Sequence, residues 1–153
     1  MHQFRGNTEV KVDPKGRFVV PALYRRSLEG GEEKVLYSEV DKKTKCIKIY
    51  PESVWTQLDE EFKANLNLWD KEDLKLYRQF SSRVVPHEWD LSGRLLIQKK
   101  NLDAISIESD ALIVGMGYYF EIWNKENFEE SLYDEDDFDT AMQEKMGNKK
   151  TDN

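Results

Sequence analysis

The sequence predicts an α+β fold in which two similar β-rich halves pack about a pseudo-twofold axis into one barrel-like core with flanking helices. Three observations carry this. First, Asp13-Pro14-Lys15-Gly16-Arg17-Phe18-Val19-Val20 recurs as Asp90-Leu91-Ser92-Gly93-Arg94-Leu95-Leu96-Ile97, each copy reading Asp-x-x-Gly-Arg and then three apolar residues. Second, each copy is followed by a short helical stretch and a second β-rich hairpin, in the same order. Third, the strands of either half are short and hold too little apolar surface to close a core alone. The predicted divisions are 1–66 for the first half, 67–81 for a connecting helix, 82–133 for the second half and 134–153 for an acidic, disordered tail.

Thr8–Val12 reads as a strand running into the first turn, and Arg17–Val20 returns from it. Pro14 presets φ near −65° at the second turn position, Gly16 suits a position with positive φ, and Asp13 can accept bonds from the turn amides. Pro21 opens a short helix over Ala22–Leu28 that stops at Gly30-Gly31. Lys34–Val40 and Lys45–Tyr50 form a hairpin. Pro51 starts a helix with Trp55, Leu58, Phe62 and Leu66 on one face, and Asp70 caps a second one carrying Leu74, Tyr77 and Phe80.

The plan then repeats. Ser82–Trp89 enters the second turn, Arg94–Ile97 leaves it, and Asn101–Ile105 matches the short helix, with Ile105 in the place of Leu28. Ala111–Gly115 and Tyr118–Trp123 make the second hairpin, and Asn124 caps a helix bearing Phe128 and Leu132. The offset between halves is 77 residues at the turns and 73 where Ile47–Tyr50 aligns with Phe120–Trp123, so the lost residues fall in loops.

Composition narrows the function. No apolar run nears the ~20 residues of a membrane-spanning helix, and the first residues lack an apolar signal core. A lone cysteine, Cys46, cannot form an internal disulfide, which fits a reducing cytoplasm and a buried thiol. The net charge of −7 is unevenly spread. Residues 1–28 carry Arg5, Lys11, Lys15, Arg17, Arg25 and Arg26 against Glu9 and Asp13. A basic patch on an acidic body is the local field a polyanion meets, although a basic terminus can also be merely solvated. Nothing has the form of an enzyme: His2 and His87 are the only histidines, and no phosphate-binding glycine loop or nucleophile elbow is present. Glu129–Asp139 is acid-rich without the alternation of a calcium loop. No cofactor, metal or small-molecule ligand is expected.

With Phe4-Arg5-Gly6, both Asp-x-x-Gly-Arg turns, Pro21, and the joins Ile49-Tyr50-Pro51…Trp55 and Glu121-Ile122-Trp123 in hand, the chain resembles the MraZ family over roughly residues 4–133. The resemblance implies two AbrB/SpoVT-like swapped-hairpin halves in one chain. It further implies a cytoplasmic, nucleoid-associated regulator that assembles into rings and binds short direct repeats in the promoter of the bacterial division and cell-wall gene cluster. In that family the arginine closing the turn is associated with DNA binding, which carries over to Arg17 and to Arg94. One departure is Gln98, where the family often has proline.

The expected DNA-binding set is therefore Arg5, Lys15, Arg17, Arg25, Arg26 and Arg94, with Asp13, Gly16, Asp90 and Gly93 shaping the turns. The first copy, being more basic, is expected to be the main reader. Exposed strand edges and apolar faces such as Trp55, Trp69 and Trp123 are expected to drive ring assembly. The alternative is an antitoxin-like or assembly module of the same fold that binds protein through its acidic tail. A turn whose aspartate and arginine merely pair with each other also stays open.

Overall fold

The structure, a computed structural model, describes residues 3–151. The first half contributes β1 (Asn7–Lys11), β2 (Arg17–Val19), α1 (Ala22–Gly30), β3 (Val35–Asp41) and β4 (Cys46–Pro51). Helices α2 (Glu52–Ala64) and α3 (Lys71–Ser82) lead to β5 (Val84–Glu88), β6 (Arg94–Leu96), α4 (Lys99–Ala104), β7 (Asp110–Gly115) and β8 (Phe120–Trp123). The chain ends with α5 (Lys125–Ser131) and α6 (Glu135–Thr151).

The strands do not pair within their own halves alone. One six-stranded antiparallel sheet runs β1-β7-β8-β4-β3-β5, and β2 pairs with β6 in a separate two-stranded ribbon. Thus β1 lies on the second half's β7, and β5 lies on the first half's β3. Exchanging the halves maps the order onto itself. The registers obey the same axis: Ile47↔Ile122 and Ile49↔Phe120 flank Lys48↔Glu121, while Arg17↔Leu96 and Val19↔Arg94 flank Phe18↔Leu95. The expected barrel does not close. The large sheet has two open edges, β1 and β5, and the ribbon stays separate from it, because β2 and β6 are only three residues long and spend their hydrogen bonds on each other.

One face of the sheet carries the main core. Ile47, Ile49, Ile113, Phe120 and Ile122 pack with Phe18, Val20, Leu95 and Ile97 from the ribbon strands and the residues that follow them. Leu28 and Ile105, the matched residues of the two short helical stretches, are both fully buried there. Phe4 reaches the same core between Tyr24 and Phe120, with ring centroids 4.8 and 5.3 Å away. On the opposite face Cys46, Leu112 and Trp123 pack with Phe128 of α5, and Trp55 stacks on Phe80 at 5.2 Å. Phe80 also stacks on Phe62 at 4.1 Å, which locks α2 to α3. Burial pushes the Cys46 thiol up to about 12, so it is an inert core group.

The caps are as the sequence suggests. Asp70 accepts from the Asp73 amide at 3.1 Å, and Asn124 accepts from the Asn127 amide at 3.0 Å. Two expectations change. Trp123 is buried and Trp55 half-buried, so of the three tryptophans only Trp69 stands exposed, at 98%. The segment from 134 is helical through residue 151 instead of disordered, residues 152 and 153 lying outside the described chain. Asp134 accepts from the Asp137 amide at 2.8 Å, and Glu135, Asp136 and Asp137 fill the first turn, where the helix dipole favours negative charge. α6 nevertheless packs little: Phe138, Met142 and Met146 are each about half exposed.

Candidate nucleic-acid interface

The two turns are near copies in three dimensions. Asp13 Oδ1 accepts from the Lys15 and Arg17 amides at 3.0 and 2.8 Å, and its Oδ2 accepts from Arg17 Nε at 2.7 Å. Asp90 does the same for Ser92 and Arg94 at 2.9, 2.8 and 3.0 Å. Both carboxyls are held below the usual carboxylate range, foremost by the arginine amide that each accepts. The local ion pair is therefore real, and it does not exhaust the arginine. Only Nε is engaged in each case, and no hydrogen bond among the described residues takes the Nη groups of Arg17 or Arg94. The aspartate acts as a brace that aims the remaining fork.

Strand alternation sets where that fork points. Phe18 and Leu95 are fully buried, so their neighbours Arg17, Val19, Arg94 and Leu96 share the outer face of the ribbon. Cross-strand pairing sets Arg17 beside Leu96 and Arg94 beside Val19. The outer face is a small patch of two arginines and two aliphatic side chains, with Val19 and Leu96 49% and 46% exposed. Sequence reading missed these two aliphatics, because three apolar residues in a row read as one buried run. The alternation around Phe18 and Leu95 was the signal that could have found them.

Because β2 and β6 are antiparallel, the turns lie at opposite ends of the ribbon. Gly16 O accepts from the Ile97 amide at 3.0 Å, and Gly93 O from the Val20 amide at 3.0 Å. Each turn therefore abuts the exit of the other half. Arg25 donates through Nε to Val20 O at 3.0 Å, and its side chain lies against Gly93, where an added Cβ would come within 2.4 Å of its Cδ. Arg25 thus belongs beside the second turn, with Arg94. Its counterpart in the second half, Leu102, packs near Gly16.

The other candidates are spread more widely. Lys15 is exposed at the first turn, and Arg26 is exposed on α1. Arg5 is exposed on the N-terminal arm, with Nη2 on Gln3 Oε1 at 2.8 Å. Tyr24 donates its hydroxyl to Arg5 O at 2.8 Å, tying that arm to α1. His87 is half-buried on β5: its Nε2 lies 2.6 Å from Ser38 Oγ, and burial lowers its pKa. His2 lies outside the described residues. No helix is long and apolar enough to cross a membrane among the described residues.

Comparison with known proteins bears on this doubled arrangement. A family model whose description names the MraZ protein and a likeness to antitoxins matches twice, over residues 3–79 and 80–149. The chain belongs to the MraZ family. It is 36% identical over 146 residues to the transcriptional regulator MraZ of Bacteroides thetaiotaomicron, covering 95% of this chain and 94% of that one. It is 38% identical to the same regulator of Bacteroides fragilis, covering 95% and 92%. The Coxiella burnetii MraZ is 30% identical over 131 residues, covering 86% of each chain. The MraZ relatives matched here are named as transcriptional regulators and not as enzymes.

Proposed function

We propose that the chain is a sequence-specific DNA-binding transcriptional regulator whose reading surface is the outer face of the β2/β6 ribbon. One observation carries this: two braced arginines, Arg17 and Arg94, share that face with Val19 and Leu96. An arginine fork suits the O6/N7 edge of guanine, and an exposed aliphatic side chain suits the methyl of thymine. A two-stranded ribbon has the width to enter the major groove. Lys15, Arg26 and Arg5 lie outside the ribbon and suit phosphates, which position a protein without reading sequence. Arg25 braces the second turn and adds charge there. Both turns therefore engage DNA in this reading, in place of a dominant first copy.

The ribbon patch of one chain is small. Ring assembly on direct repeats in the promoter of the division and cell-wall cluster would supply avidity, with gains of ~10²–10⁴ from multivalency alone. The exposed Trp69 and the stripe Phe138, Met142 and Met146 on α6 offer apolar surface for contacts between copies. That same stripe on an acidic helix is the observation that favours the second reading, a protein-binding module resembling an antitoxin.

The test is fluorescence anisotropy on repeat and scrambled duplexes at fixed salt, with light scattering to follow assembly. Arg17→Ala and Arg94→Ala should each weaken binding to the repeats by ~1–3 kcal/mol per engaged subunit. A loss confined to Arg17→Ala would restore the first copy as the main reader. No preference of the intact protein for the repeats would overturn the proposal.

A further inference from the structure

The halves differ most at one matched place. Beyond the β1–β7 pairing, the N-terminal arm continues along the sheet: Phe4 N donates to Gly117 O at 2.7 Å and Gly117 N to Phe4 O at 2.9 Å. Gly115 lets it pass, since a Cβ there would lie 2.3 Å from Arg5 N. The arm fills the space between β7, β8 and α1. In the other half the residues before β5 belong to helix α3, which turns away toward α2. The matched region, beside the β3–β4 turn, the start of β5 and α4, is left as an open cleft of about 620 Å³.

Its lining is basic and polar where the filled side is apolar. Lys42 and Lys43 come from the β3–β4 turn, Arg83 from the end of α3, and Lys100 from α4, with Gln98 and Asn101 beside it. Among the described residues no carboxylate pairs with any of these four cations. Two acids, Glu39 and Asp41, share the cleft. Asp41 is already engaged, by Lys48 at 3.5 Å and by the Lys43 and Thr44 amides. The cleft also adjoins the reading surface, because Gln98 follows Ile97, which bonds the first turn at Gly16.

We infer that this cleft is a phosphate-binding subsite that holds the DNA backbone running past the first turn. The inference rests on the DNA-binding reading above. Four cations without acid partners, together with amide side chains, match the chemistry of successive phosphodiesters. The acidic α6 helix of another copy is the competing occupant. It is disfavoured because the cleft's only apolar lining residues, Val40 and Val85, are too few to cover its exposed stripe of Phe138, Met142 and Met146.

The experiment is a salt titration of the full chain and of the triple variant Lys42→Ala/Arg83→Ala/Lys100→Ala, on repeat and scrambled duplexes. Each phosphate contact adds about −0.9 to the slope of log K against log salt. The variant's slope should flatten by up to about 2.7 for each engaged subunit, so that raising salt from about 50 to about 200 mM weakens it up to about 40-fold less per engaged subunit than the wild type. Its ratio of repeat to scrambled affinity should stay unchanged, and the Lys42→Arg/Lys100→Arg variant should keep the wild-type slope. A triple variant with the wild-type slope, folded by circular dichroism, overturns the inference. So does loss of oligomer mass by light scattering in the absence of DNA, which would give the cleft to a neighbouring copy. If the intact protein has no preference between duplexes, the failure belongs to the DNA reading itself.

Discussion

The turns at Asp13–Arg17 and Asp90–Arg94 share a hydrogen-bond pattern, yet they sit in different company. Between the two turns the corresponding aspartate-to-amide distances agree to within 0.1 Å. Around them, Gly16 faces the backbone of Ile97 and the methyl of Leu102, whereas Gly93 faces the guanidinium and stem of Arg25. The backbone has kept the symmetry of a duplication, while the side chains pressed against it have diverged. Local hydrogen bonding thus defines the frame, and the neighbouring element decides what each copy can do.

The largest test of this divergence lies at the arm, which has no partner in the second half. Phe4→Ala removes a fully buried ring and opens the filled side of the molecule. It should cost ~3–5 kcal/mol in denaturant unfolding. A loss under 1 kcal/mol would show that the arm is peripheral and that the halves are more alike than their packing indicates.

Next come the glycines. Gly16 has φ +95° and Gly93 has φ +76°, where a side chain is strained. Gly16→Ala also drives its Cβ to 2.3 Å from the carbonyl oxygen of Ile97, which cannot swing away. Gly93→Ala meets only the far part of the flexible Arg25. The expectation is ~2–4 kcal/mol for Gly16→Ala, from conformational strain plus overpacking, and ~1–2 kcal/mol for Gly93→Ala. Equal melting shifts would erase the distinction between the two environments.

The smallest effect concerns the braces. Asp13 and Asp90 have folded pKa values below the ordinary 3.8, so the unfolded chain binds their protons more readily. Their contribution is present above about pH 4 and fades as pH falls through the depressed folded values. Asp13→Asn and Asp90→Asn should each make stability less steep with pH below about 4, to a similar degree, in circular dichroism melts. A flattening in only one variant would mean that the two braces are not equivalent.

Much of this was legible in the residues. The repeated Asp-x-x-Gly-Arg announced both turns, and Asp70 and Asn124 announced their helices through side chains that can reach an amide three residues on. Strand exchange was different. The apolar pattern of β1 is satisfied equally by a strand of either half, so its pairing with β7 was not legible, and the family resemblance implied only swapped-hairpin halves. The placement of Arg25 follows from that exchange, since it carries a first-half side chain to the second turn. The α6 helix was hidden because its acids read as a solvated run, although the same acids stabilise its first turn. The open cleft was hidden because Lys42, Arg83 and Lys100 are far apart in sequence and meet only once β3 has paired with β5.

That exchange also orders events in time. Lys11 pairs with Asp110, so a chain emerging from the ribosome carries β1 without a partner until nearly the whole second half has been made. Contacts this distant in sequence form slowly, because a long loop must close before any bond repays its entropy. The first half therefore spends its synthesis as an incomplete sheet, and the fold is committed only when the second half arrives. Cut near residue 79, where the two family matches meet, the pieces would each bear unpaired edges, to be satisfied on the other piece or, given the matched halves, on a second copy of the same one.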